Sequence, residues 1–164
     1  MVKRILVAID QSEISKTVFH EALTLAKATG ATLQLLHVLS TEEEGSPISP
    51  ALLHYPSIDH RVLEEYQTKW KTFEAHGAEL LQSWIDEAAQ VGVQAEFIQK
   101  YGNPGRTITE AARDWGADLI VIGRRGRSGL TELFLGSVSN YVVHHASNAV
   151  LVVQGQLPVS AATA

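Results

Sequence analysis

Five short apolar runs, each separated from the next by a stretch of mostly helical periodicity, lay out this chain. The first, Ile5-Leu6-Val7-Ala8-Ile9, is continuously apolar rather than alternating. Continuous apolarity marks a strand covered on both faces, as in a parallel sheet. Asp10 ends it, Ser12 reads as a helix N-cap and Glu13 suits the first turn. Ile14, Val18, Ala22, Leu25 and Ala26 then recur at helical spacing, and Gly30 closes the helix. The second strand lies within residues 31–39, centred on Leu33 to Val38. A long helical pattern follows over residues 59–91, with the stripe Tyr66, Trp70, Phe73, Gly77, Leu80, Trp84 and Ala88. That stripe reads as core packing, and Gly77 within it as a close approach or a slight kink. Gly92 ends the helix. Residues 93–100 read as the third strand, with Val93, Ala95 and Phe97 on one face.

Gly102-Asn103-Pro104-Gly105 is a turn, with proline where helices begin. A short helix over 107–115 turns Ile108, Ala111 and Ala112 inward and stops at Gly116. The fourth strand is Leu119-Ile120-Val121-Ile122, a helix follows over 138–146, and Ala149-Val150-Leu151-Val152-Val153 is the fifth strand. Strands alternating with helices predict one α/β domain, a doubly wound five-stranded parallel sheet with right-handed crossovers and helices on both faces. Ligands of such sheets bind beyond the carboxyl ends of the strands, at the switch point. If strands one and four are neighbours, the ends at Asp10, Val38 and Gly123 meet there.

Two stretches break the rhythm. Residues 40–58 hold three of the five prolines and the acidic run Glu42-Glu43-Glu44. They read as a loop insertion, mobile at its start, in the role of a lid, a partner surface or a tolerated insertion. Residues 155–164 read as a frayed tail, so the domain is placed at 1–154.

Composition narrows the function. The chain has 164 residues, a net charge of −5 and no cysteine. Acidity argues against general nucleic-acid binding and against an anionic membrane surface. The absence of cysteine removes disulfides and thiolate chemistry. No apolar run approaches the ~20 residues of a membrane span, and the N-terminus has no signal-peptide pattern, so cytoplasmic residence is expected. The histidines do not suggest a metal site: His144 and His145 are adjacent on a helix and point to different faces.

The chemistry concentrates between strand four and the last helix, from Gly123 to Ser139. Four glycines and three of the seven arginines fall there. Glycines let a backbone approach a ligand, and free N–H groups at a helix start hold anions. A phosphate cradle is therefore expected. It is neither a Walker A loop nor a Gly-x-Gly-x-x-Gly fingerprint. The spacing is Gly123, two residues, Gly126, nine residues, Gly136, Ser137.

That spacing resembles the Gly-x2-Gly-x9-Gly-Ser/Thr motif of the universal stress protein (UspA) family, in its ATP-binding subgroup. So do the opening run to Asp10, Leu36-His37-Val38, Gly102-Asn103-Pro104, the run from Ala117 to Gly123, and Val150-Leu151-Val152-Val153. One departure is Gln11, where the family often has glycine. The resemblance implies the strand order 3-2-1-4-5, an adenine nucleotide alpha hydrolase-like fold, and an adenine nucleotide (ATP, ADP or AMP) as ligand, with Mg2+ alongside ATP. The implied site comprises Ala8, Ile9, Asp10, Val38, Ile122, Gly123, Arg124, Arg125, Gly126, Arg127, Ser128, Gly136, Ser137, Val138 and Ser139. In it Asp10 would meet the ribose or the adenine edge, Val38 the adenine, and the glycines and Ser137 the phosphates. Family members commonly form a homodimer through the last strand, here Val150 to Val153, an apolar edge without protecting charge. The expected role is a stress-response or energy-state signalling module. The competing reading is a slow ATPase or autophosphorylating enzyme, for which only Asp10 offers a nearby carboxylate.

Overall fold

The computed structural model describes residues 1–49, 59–124 and 136–154. Its elements are β1 (Arg4–Ile9), α1 (Ile14–Thr29), β2 (Thr32–Leu39), α2 (His60–Gln90), β3 (Ala95–Tyr101), α3 (Pro104–Trp115), β4 (Leu119–Arg124), α4 (Ser137–His145) and β5 (Ala149–Gln154). The strands form one sheet in the order β3-β2-β1-β4-β5, and every neighbouring pair is parallel. The expected topology therefore holds. β1 sits at the centre, with Val7 opposite Leu35 on one side and Val121 on the other.

Side-chain alternation divides the core into two layers. Ile5, Val7 and Ile9 of β1 pack with Leu33 and Leu35 of β2 and Val121 of β4 beneath α1 and α2. Leu6, Leu36, Val38, Ile120 and Ile122 face the other way, toward Ile108, Ala111 and Ala112 of α3 and Val142 of α4. A strand buried on both faces needs no polar positions, which is why these runs are continuous. In the first layer Phe19 of α1 stacks on Trp84 of α2, with ring centroids 5.2 Å apart and planes within 6°.

The caps follow from local chemistry, with one exception. Gly30 and Gly116 end α1 and α3 at φ of 71° each, a left-handed conformation that favours glycine. The Asn103 side chain accepts from the Arg106 N–H ahead of Pro104 at 3.2 Å. Ser12 is not the cap of α1. The helix begins after Glu13, which offers no side-chain cap. The Ser12 hydroxyl turns back to Asp10 instead, because that carboxylate is a stronger acceptor within reach.

The long stripe on α2 is core only in its second half. Gly77, Leu81, Trp84 and Ala88 are buried, with Leu81 in place of the expected Leu80. Tyr66, Trp70 and Phe73 form instead an edge-to-face ladder, half-buried, that reaches Tyr101 at the end of β3. The reason is length. A helix of 31 residues spans about 46 Å, whereas a strand of 7 residues spans about 23 Å. The first half of α2 runs past the strand ends. The Tyr101 hydroxyl donates to Glu74 at 2.9 Å. Burial first, and this hydrogen bond second, push its pKa up.

Candidate functional site

A cavity of about 480 Å³ opens at the carboxyl ends of β1, β2 and β4. This is the switch point, since α1 covers one face of the sheet and α3 and α4 the other. Of the residues singled out from sequence, Ala8, Ile9 and Asp10 line it from β1, Val38 from β2, and Ile122 and Gly123 from β4. Gly136, Ser137, Val138 and Ser139 close it from the start of α4. Arg124 does not line it; as the last residue of β4 it stands opposite Gln154 of β5. Arg125, Gly126, Arg127 and Ser128 lie outside the described residues.

Sequence reading missed several members of the wall. Leu36, Pro104 and Ile108 add apolar surface from β2 and α3, and Ile14 and Ser15 come from the first turn of α1. Leu36 shares the Val38 face, so period two alone could have found it. Glu42 and Glu43 also line the cavity. Their stretch was expected to be mobile at its start. It forms turns, with the Glu43 N–H on the Ser40 carbonyl at 3.2 Å and the Ser46 N–H on the Glu43 carbonyl at 3.1 Å. The reason is a buried partner: both Glu43 carboxylate oxygens lie about 3 Å from Nε2 of His37, which is itself buried. The acidic run is therefore one buried carboxylate, Glu43, between two exposed ones.

Asp10 is held tightly. Its Oδ1 accepts from the Ser12 N–H at 3.0 Å, from the Ser12 hydroxyl, and from the Ser15 hydroxyl at 2.7 Å. The Asp10 N–H lies 3.0 Å from the Ser15 oxygen. The carboxylate thus fastens the β1–α1 turn to the first turn of α1 and fixes where its own charge sits on the cavity wall.

The opposite wall carries the complementary sign. α4 begins at Gly136, which has no side-chain oxygen to cap the first-turn N–H groups. Those groups and the aligned peptide dipoles make a helix start attractive to anions. The Ser139 hydroxyl is already directed, donating to the Gly136 carbonyl at 3.0 Å. Ser137 is exposed beside it. Among the described residues, a Cβ built on Gly136 would meet nothing nearer than the Ser139 Oγ, at 3.7 Å, an ordinary van der Waals contact. None of those residues crowds the Gly136 backbone, so a ligand's oxygens can approach it there. Gly123 is different: its Cβ would come within 2.9 Å of Val18 and 3.4 Å of Ile14 on α1. Glycine at 123 is required by helix packing.

The cavity therefore has a carboxylate wall (Asp10, Glu42, Glu43), an apolar floor and an anion-attracting end. Its volume lies within the roughly 300–1,000 Å³ of small-ligand sites. Among the described residues, no three His, Cys, Asp or Glu side chains cluster to hold a metal ion, and no helix is long and apolar enough to cross a membrane.

Comparison with known proteins gives a consistent picture. The family model of the universal stress protein family matches residues 1–154. Universal stress protein Sll1388 of Synechocystis sp. is 39% identical over 156 residues, covering 92% of this chain and 97% of that protein. The solved universal stress protein UspA from Lactobacillus plantarum superposes with a TM-score of 0.71 at 28% identity, over 93% of this chain and 97% of that one. Two further solved universal stress proteins share the fold at 23% and 21% identity, with TM-scores of 0.63 and 0.58. Each covers 93% of this chain, over 97% and 98% of its own length; the first is in complex with cAMP, and the second, from Archaeoglobus fulgidus, with dAMP. This chain belongs to the universal stress protein family.

Proposed function

We propose that this protein binds an adenine nucleotide, ATP, ADP or AMP, in the cavity at the strand ends and acts as a nucleotide-responsive signalling module. The observation that carries the reading is the pairing of a glycine at a helix start, uncrowded among the described residues, with a fixed carboxylate across the same cavity. Phosphate oxygens suit the N–H groups of Ser137, Val138 and Ser139. Ribose hydroxyls, as donors, suit the Asp10 carboxylate. The apolar residues Val38, Leu36 and Ile108 suit a flat base. That the fold neighbours hold cAMP and dAMP favours adenine over other bases. Arg125, Gly126, Arg127 and Ser128, outside the described residues, join the same reading through the motif spacing alone. Where ATP is the ligand, Mg2+ would accompany its phosphates. A homodimer paired along β5 belongs to this reading, since Leu151 is exposed on a strand at the sheet edge.

The test is direct. The purified protein is denatured and any released nucleotide identified by mass spectrometry, and ATP, ADP and AMP are titrated calorimetrically. Gly136→Val should abolish binding and leave the fold intact, because among the described residues the added Cβ would make only an ordinary contact, 3.7 Å from the Ser139 Oγ. Absence of affinity in the wild type, or retained affinity in Gly136→Val, defeats the reading. ATP turnover well above background and lost in Asp10→Ala would instead make the protein an enzyme.

A further inference from the structure

We propose that Glu43 and Gln11 are positioning residues that clamp the Asp10-bearing turn against α2, with His37 as the buried pivot. This rests on the nucleotide reading of the cavity for its functional meaning, but the clamp itself stands on geometry. Gln11 directly follows Asp10, and its N–H donates to Oε1 of Glu43 at 2.8 Å. Glu43 is only 8% exposed. A buried carboxylate requires hydrogen-bonding partners, since burial strips it of the water that would otherwise solvate its charge. It has them in the Gln11 N–H and in His37 Nε2, which lies 3.0 and 2.9 Å from its two oxygens.

The rest of the network fixes the proton on His37. The Gln99 side-chain nitrogen lies 2.9 Å from the Glu74 carbonyl and 3.1 Å from His37 Nδ1. A group that faces a carbonyl must be the NH₂ end of the amide, so α2 sets which way Gln99 points. Nδ1 then accepts from Gln99, and the ring proton sits on Nε2, directed at Glu43. The ring cannot retreat, because Gly77 of α2 closes over it. Gln11 joins the same helix a second way. Its side-chain NH₂ donates to the Phe73 carbonyl at 3.0 Å and its oxygen faces His76 Nδ1.

The consequence is that the turn carrying Asp10 is held from two sides. Ser15 fixes it to α1, and Glu43 with Gln11 fixes it to α2 and the segment after β2. Both ties help to keep Asp10 in its place on the cavity wall. Glu43 acts through the Gln11 backbone, so a glutamine with its carbonyl oxygen in the Oε1 place should keep the Gln11 bond, while its NH₂ replaces the acceptor 2.9 Å from His37 Nε2.

The experiment uses the full chain and three variants, Glu43→Ala, Glu43→Gln and Gln11→Ala. Two readouts are taken: calorimetric affinity for ATP at neutral pH, and NMR of the Gln11 amide and the His37 ring without ligand. Expected are a loss of ATP affinity of about tenfold in Glu43→Ala, the loss of one buried hydrogen bond. A smaller loss is expected in Gln11→Ala, by the same reckoning. Wild-type His37 should carry a proton on Nε2 and accept from Gln99 at Nδ1. Exchange protection of the Gln11 amide should fall in Glu43→Ala and return in Glu43→Gln. Tighter ATP binding in both Glu43 variants would overturn the proposal, because Glu43 would then act by repelling phosphate. So would a His37 protonated on Nδ1, or unchanged Gln11 protection in a folded Glu43→Ala. A wild type that binds no ATP yet shows the predicted ring and amide signals would sink the nucleotide reading and leave the clamp standing.

Discussion

Gly77→Ala should destabilise this protein, against the usual direction for a helix glycine. Gly77 lies well inside α2 and is buried. In an unhindered helix, alanine gains about 1 kcal/mol over glycine. Here the new Cβ would stand 2.7 Å from both Cε1 and Nδ1 of His37 and 3.1 Å from the Gln99 side-chain nitrogen. Real Cβ contacts are not made at such distances, so something must shift. The His37 ring is 1% exposed, wedged between Glu43 and Gln99. Moving it breaks one of those hydrogen bonds, at about 1–3 kcal/mol, and forcing the methyl in adds about 1–3 kcal/mol of overpacking. Subtracting the propensity gain leaves a net destabilisation of about 1–5 kcal/mol, centred near 3. Urea unfolding measures it, as a lower midpoint at unchanged slope. The double variant His37→Ala/Gly77→Ala isolates the cause. Removing the ring first should make the alanine at 77 close to neutral, a coupling energy of about 1–5 kcal/mol. A Gly77→Ala protein more stable than wild type would refute the close packing of α2 on His37.

Other expectations are more local. Trp84→Ala removes the partner stacked on Phe19 in the α1/α2 layer and should cost about 3–5 kcal/mol in denaturant unfolding. The backbone N–H groups of Lys3 and Arg4, at 2.7 and 2.9 Å, hold the Asp118 carboxyl below the ordinary aspartate range. A depressed folded pKa gives stability that is complete above the unfolded value and is lost as pH falls through the folded one. Asp118→Asn should therefore lower stability at neutral pH and flatten the acid limb below about pH 4; a limb identical to wild type would remove Asp118 from the account. Leu151→Lys on the edge strand β5 should convert a wild-type dimer to a monomer by light scattering, and a monomeric wild type would end the β5-pairing reading.

The fold was readable because it depends on features that a one-dimensional pattern carries. Runs such as Ile5 to Ile9 and Leu119 to Ile122 are buried on both faces, and burial on both faces shows as continuous apolarity. The glycines at 30 and 116 sit in the left-handed conformation that stops a helix. Contacts between distant segments were not readable in the same way. Nothing local distinguishes Glu43 from Glu42 and Glu44; only the neighbouring His37 on β2, itself reached by Gln99 from β3, makes it the buried one. The aromatic stripe misled for a related reason. Periodicity reports that Tyr66, Trp70 and Phe73 share a face of α2, but not where the sheet beneath that face ends.

The glycines show best what a motif leaves undecided. Gly77, Gly123 and Gly136 look alike in sequence, each a small residue where close approach is possible. Their surroundings separate them. A Cβ at 77 would strike a buried histidine, and one at 123 would strike Val18 on α1. Both glycines are therefore explained by packing within the fold, even though Gly123 opens the motif and lines the cavity. Of the three, only 136, at a helix start, leaves the added atom uncrowded among the described residues, 3.7 Å from the Ser139 Oγ. The spacing Gly123, Gly126, Gly136 thus joins at least two different physical demands, one that seats α1 on β4 and one that leaves a helix N-terminus bare. A substitution at 123 should be read first in stability and one at 136 first in ligand affinity, so the two positions report on the fold and on the site separately.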